Sequence, residues 1–251
     1  SSAPAEPAAY ALLTLCADIQ AAMDHFDHKQ VAMVGHDWGA PVAWHLALLE
    51  PHRVQALSAM SVPFGGRPKR PATEIMREAN AGKFNYILYF QEPGVAEAEL
   101  DADIERSLRL LLSKLEEVIL LERPADACLL DGFSSTPDLP SWCSAEEFAV
   151  YRRTLAKGFR GPLNWYRNFP RNWQDTEALP QQVEQPTLFL LGEADAVGRL
   201  EAYTLKRMVE RVPHLEQHRL ANCGHWLQNQ QPEQVSQLLT DFLSRHFPAT
   251  A

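Results

Sequence analysis

Long apolar runs are missing from this chain. No stretch approaches the roughly 18 to 20 residues that a helix needs to cross a bilayer, and no secretory leader pattern opens the sequence. Positive charge is scarce as well: the formal net charge is −9, and Arg67-Pro68-Lys69-Arg70 is the single basic run. That balance excludes a nucleic-acid surface and leaves the basic run as a solvated loop. The four cysteines, Cys16, Cys128, Cys143 and Cys223, lack metal-ligand spacing, so reduced thiols in the cytoplasm are expected. Cys223, close to a loop of interest, is expected to be a small buried packing residue. Internal repeats and low-complexity segments are absent too.

What is present is a globular composition. With 251 residues and 46% hydrophobic content, the chain can bury one substantial core, or one core with a cap. Apolar residues from Tyr10 to Phe26 recur at helical spacing, and Val31-Ala32-Met33-Val34 reads as a short buried strand. Val54 to Val62, Pro186 to Gly192 and Leu215 to Leu220 are further strand patterns, and Glu233 to Phe247 has the period of a closing helix. Between Gly66 and Trp173 the strand signal disappears, and helical pieces alternate with Gly and Pro; Leu100 to Leu121 is the best helix there. Strands alternating with helices on both sides of a helical insertion predict an α/β fold, a mostly parallel sheet flanked by helices with a helical lid. The expected division is core over residues 1–64, helical cap over 65–172 and core again over 173–251.

The most specific local signal is Gly35-His36-Asp37-Trp38-Gly39. It lies between the first strand pattern and a helix with Pro41 in its first turn, apolar Val42, Ala43, Leu46 and Leu49 on helical spacing, and Pro51 past its end. Strand, tight turn and helix are the context of a nucleophile elbow, with a carboxylate where serine usually sits. A glycine-framed pentapeptide also arises by chance in turns; the flanking elements are what separate the two readings. A helix N-terminus favours negative charge at Asp37. A carboxylate nucleophile suits a saturated carbon electrophile, because displacement leaves an ester whose carbonyl water can attack, whereas serine would leave an inert ether.

Ligand sites in such sheets lie at the carboxyl ends of the strands. Two further candidates fall there: the Glu193/Asp195 loop and His225 within Asn222-Cys223-Gly224-His225-Trp226. The order Asp37, Asp195, His225 is nucleophile, acid, base, the chain order that elbows of this kind use. His225 is expected to activate water as a general base, and Asp195, preferred over Glu193, to fix its tautomer. His36 is expected to pack or hydrogen-bond rather than act as a second base.

Four segments carry a resemblance: Val34 to Ala40, Tyr86 to Glu97 (Tyr-Ile-Leu-Tyr-Phe-Gln-Glu-Pro-Gly-Val-Ala-Glu), Gly158 to Asn168 (Gly-Phe-Arg-Gly-Pro-Leu-Asn-Trp-Tyr-Arg-Asn), and Gly224-His225-Trp226. In these the chain resembles the soluble epoxide hydrolases of the α/β-hydrolase superfamily, over essentially its whole length. The resemblance implies conversion of a small-molecule epoxide and water to a vicinal diol, without cofactor or metal. It also implies that Tyr86 and Tyr166 donate hydrogen bonds to the epoxide oxygen, Tyr89 being the alternative to Tyr86. The Trp38 backbone N–H would bind the oxyanion of ester hydrolysis, and Trp38, Phe64, Phe90 and Trp226 would line the substrate pocket. Each of these aromatics also has an ordinary packing reading.

The sequence departs from that family in one respect. The early His-Gly-x-Pro segment that supplies a second oxyanion N–H has no counterpart, since no His-Gly dipeptide occurs. Strands preceding the elbow are therefore expected to come from upstream in a longer polypeptide or from elsewhere, with one sheet edge left uncovered in the chain as it stands. Two rivals share the elbow: a haloalkane dehalogenase, for which paired tyrosines have no task, and a catalytically silent binding scaffold.

Overall fold

A computed structural model describes residues 3–247, which fall into two compact units. The first contains the described residues up to Tyr10 together with Arg70–Arg171; the second contains Ala11–Lys69 and the described part of Asn172 onward.

The second unit holds the sheet. Four strands, β1 (Val31–His36), β2 (Val54–Met60), β3 (Thr187–Gly192) and β4 (Leu215–Leu220), pair in parallel in the order β1-β2-β3-β4. The parallel pairing requires crossovers, and the helix Gly39–Leu49 supplies the one from β1 to β2. Ala40, Val42, Ala43, Trp44, Leu46, Ala47 and Leu48 of that helix are all buried, so it is enclosed on nearly every side. The indole N–H of Trp44 donates to the Val62 carbonyl at 3.0 Å, which satisfies its one polar atom. Ala56, Met60, Leu188, Leu190 and Leu220 of the sheet, with Cys223 and Leu227 beyond β4, form one cluster with Val235 and Phe242 of the closing helix Pro232–His246. Each large apolar side chain buried there contributes about 1.5–3 kcal/mol.

Three expectations are corrected. The strand Val31–Val34 is not buried: Val31, Ala32 and Met33 are half-buried and Val34 is 44% exposed. The reason is position, since among the described residues no strand pairs with the outer edge of β1. The Leu100–Leu121 helix is broken into pieces, with helices at Val95–Leu100, Ile104–Ser113 and Leu115–Leu120. Asp103 starts the middle piece by accepting the Arg106 N–H at 2.9 Å, and the Ser107 hydroxyl donates to the Leu100 carbonyl at 2.9 Å. Finally, residues up to Tyr10 sort with the helical unit rather than with the sheet. The Asn164 and Asn168 amides donate to the carbonyls of Ala5 at 3.2 Å and Pro7 at 2.7 Å, and the Tyr10 hydroxyl donates to that of Pro4 at 3.1 Å.

Candidate active site

In the sheet unit, the turns that follow the four strands each bring one polar side chain to the same end. Asp37 follows β1 directly, at φ 49, a left-handed backbone that L side chains rarely adopt. Its N–H donates to the Met60 carbonyl at 3.2 Å, which ties the elbow to the end of β2. Gly35 is what permits the turn: a Cβ there would lie 2.2 Å from the Gly39 carbonyl oxygen. Gly39 has no such duty, because a Cβ on it meets nothing within 4 Å. The frame of two glycines therefore reduces sterically to one.

The loops after β3 and β4 are pressed together. Glu193 and Ala194 donate their N–H groups to Leu220 and Cys223 at 2.9 and 3.0 Å. A Cβ on Gly192 would stand 2.3 Å from the Gly224 carbonyl oxygen, so glycine is the residue that lets the loops meet. That contact brings Asp195, 1% exposed, to His225, 4% exposed. Nδ1 of His225 lies 3.3 Å from Oδ1 of Asp195, and Nε2 lies 3.7 Å from Oδ1 of Asp37, whose side chain is 35% exposed. The imidazole thus stands between the two carboxylates. Glu193, the other acid in the loop, is exposed to solvent.

Burial works to raise the Asp195 carboxyl, but hydrogen bonds and charge from His225, the Ser61 hydroxyl and the Val197 N–H outweigh it. The net result holds Asp195 below the ordinary carboxylate range. The Val197 N–H reaches Oδ1 at 2.9 Å. Ser61 was not singled out by its sequence context; the only trace was a small polar residue between the apolar end of β2 and Pro63. His36 contacts the His225 carbonyl through Nε2 at 2.8 Å and packs on the His225 ring with centroids 4.7 Å apart. Burial first, then the neighbouring His225, push its pKa down. Trp226 packs against both histidines, with centroids 4.9 and 5.7 Å away. Phe64 is buried, 5.7 Å from Trp44 by ring centroid. Trp38 immediately precedes the helix Gly39–Leu49. Cys223 is buried within the core cluster.

In the helical unit, Tyr86 opens the short helix Tyr86–Tyr89, capped by the Asn85 side chain, and Tyr166 lies in the helix Arg160–Arg167. Their rings stand edge to face with centroids 5.9 Å apart, and Phe90 packs against both. Two side chains lock these helices together. The Gln91 amide donates to the carbonyls of Ile87 at 2.8 Å and Tyr166 at 2.9 Å. Arg167 donates to the Phe90 carbonyl at 3.0 Å and forms a buried ion pair with Glu97 at 2.7 Å. Tyr89 turns elsewhere: its hydroxyl donates to Glu99 at 2.9 Å, and burial, with Cys128 and Glu99 as neighbours, raises its pKa well above the phenol range. Among the described residues, no cluster of His, Cys, Asp or Glu could hold a metal ion, and no helix is long and apolar enough to cross a membrane.

A family model of the alpha/beta hydrolase fold matches residues 1–232. Epoxide hydrolase A of Mycobacterium tuberculosis is 37% identical over 97% of this chain and 78% of its own length. Bifunctional epoxide hydrolase 2 of Sus scrofa is 36% identical over 97% of this chain but only 44% of its own length. Among solved structures, epoxide hydrolase A from Mycobacterium thermoresistibile superimposes with a TM-score of 0.88 at 39% identity, covering 96% of this chain and 78% of that one. An epoxide hydrolase from an endophytic Streptomyces gives 0.91 at 34% identity, covering 97% and 77%. The chain belongs to the epoxide hydrolases, within the α/β-hydrolase fold.

Proposed function

We propose that this protein adds water to a small-molecule epoxide, giving a vicinal diol through an ester on Asp37. The observation that carries the reading is the placement of His225 between Asp37 and a buried acid, Asp195. Asp37 attacks a ring carbon, the C–O bond breaks, and the oxygen takes up negative charge while Tyr86 and Tyr166 donate to it and supply its proton. Water then attacks the ester carbonyl as its proton passes to Nε2 of His225; Asp195 stabilises the imidazolium, and the Trp38 N–H helps bind the oxyanion. Collapse of that intermediate restores the carboxylate and releases the diol, the intermediate's hydroxyl proton passing to the departing oxygen and the imidazolium proton returning through solvent to the tyrosinate. The chemistry calls for no metal or cofactor.

Membership of the epoxide hydrolases and the locked tyrosine pair support an epoxide over a haloalkane, which gives paired phenols no developing oxyanion to hold. Phe90, in contact with both tyrosines, is proposed to line the substrate pocket with Trp38, Phe64 and Trp226. The helical unit is proposed as the cap. Four free thiols support a reducing compartment, the cytoplasm. A single turnover in ¹⁸O-water tests the scheme: the diol should carry no label and Asp37 should acquire it. Label in the diol on that first turnover, or diol formation by Asp37→Ala, would overturn it.

A further inference from the structure

Ser61 is the residue that the reaction scheme leaves unused, although it touches two of its members. It follows β2 immediately, is fully buried, and sits at φ 74, where asparagine or glycine is the usual resident. Backbone strain of this kind persists where the surroundings impose it, and it clusters at functional positions. Here the Ser61 N–H donates to the Leu190 carbonyl of β3 at 2.9 Å, which anchors the strained residue to the neighbouring strand. The result aims the hydroxyl at the acid and the base together. Its oxygen lies 2.9 Å from Nδ1 of His225 and donates to Oδ2 of Asp195.

We infer that Ser61 is a positioning residue of the acid–base pair, one that fixes both the rotation of the Asp195 carboxylate and the tautomer of His225. The inference rests on the epoxide hydrolase reading given above. Proton accounting carries it. An ionised carboxylate can only accept, so the single hydroxyl proton goes to Oδ2 of Asp195, and the hydroxyl oxygen then presents a lone pair to Nδ1. Nδ1 must carry the imidazole proton, which it shares between Ser61 at 2.9 Å and Oδ1 of Asp195 at 3.3 Å. The unprotonated nitrogen of the ring is therefore Nε2, the atom nearest Asp37. Both oxygens of Asp195 are occupied, Oδ1 by the Val197 N–H and His225, Oδ2 by Ser61. Without the hydroxyl, Oδ2 has lost its donor in a buried position, and the carboxylate is free to rotate away from the geometry that holds His225. Ser61 is not itself a nucleophile, because it faces the protonated nitrogen.

Ring opening uses the Asp37 carboxylate and needs no base, whereas ester hydrolysis needs His225 in this tautomer. Loss of Ser61 should therefore act on the second step alone. The test is single-turnover kinetics of Ser61→Gly and Ser61→Ala with an aryl epoxide, following the alkyl-enzyme by intact mass. Ester formation should stay within about threefold of the parent, and ester decay should slow by at least about tenfold, so that the ester accumulates during turnover. Glycine accepts the left-handed backbone, so Ser61→Gly should keep the parent melting temperature to within a few degrees. A merely structural role predicts that both steps fall together, or that the ratio of the two rates stays at the parent value; either result would overturn the inference. A parent protein that forms neither ester nor diol would defeat the epoxide hydrolase reading first, which sets that outcome apart.

Discussion

His225 presents its two ring nitrogens to two different carboxylates, Nδ1 at 3.3 Å from Asp195 and Nε2 at 3.7 Å from Asp37. The second distance is too long for a hydrogen bond, so in the proposed scheme the nucleophile Asp37 is not tied up by its base. Removing the base should leave the nucleophile competent. In His225→Gln, an epoxide should add to the peptide containing Asp37 as a stoichiometric mass increment, with diol turnover down about 10³-fold. An unmodified protein after prolonged incubation would contradict this separation of steps.

The edge-to-face pair Tyr86 and Tyr166 should act on ring opening. Tyr86→Phe or Tyr166→Phe should each slow ester formation on the order of 10²-fold, and the double variant should lose more. Tyr89→Phe serves as the contrast, because its hydroxyl is committed to Glu99. Stopped-flow tryptophan fluorescence would resolve the first step; a larger loss from Tyr89→Phe than from Tyr86→Phe would reverse the assignment.

Two glycines flank Asp37, and they should respond oppositely to alanine. Gly35→Ala forces a methyl into the Gly39 carbonyl and should destabilise by about 3 kcal/mol or more. Gly39→Ala opens onto free space in the first turn of a helix and should change stability by less than about 1 kcal/mol, in the stabilising direction. Urea denaturation of both variants decides the point.

Asp195 gives a pH dependence whose sign follows from its depressed pKa. Its folded carboxyl binds a proton less readily than the unfolded one, so its ionisation stabilises the fold above the ordinary carboxylate range, about pH 4, and that contribution fades as pH falls through and below it. The melting temperature of the parent should therefore drop more than that of Asp195→Asn between pH 7 and pH 3.5. A gap between the two that widens on acidification would show that burial dominates at this site.

Much of the site is legible in the sequence. The strand patterns over 54–62, 186–192 and 215–220 correspond to β2, β3 and β4 within two residues, and Gly35-His36-Asp37-Trp38-Gly39 lies at the junction of β1 and its helix. Those signals are local, carried by apolar period and by turn residues in one stretch of chain. Pattern preferred Asp195 over Glu193, its neighbour in the same loop, and in the structure Asp195 is buried while Glu193 is exposed. Gln91 and Arg167 sat within recognisable segments, yet nothing in those segments said that they clamp the two tyrosine helices.

The sequence by itself determined the fold class and the family, and it proposed Asp37, Asp195 and His225 in that chain order, because each rests on residues close together or on motifs of fixed spacing. Only the tertiary structure decided that Gly192 lets two loops touch, and that Ser61 reaches Asp195 and His225 across 134 and 164 residues of chain. Contacts at that separation are created by strand pairing and packing, and they leave no periodic trace at either end.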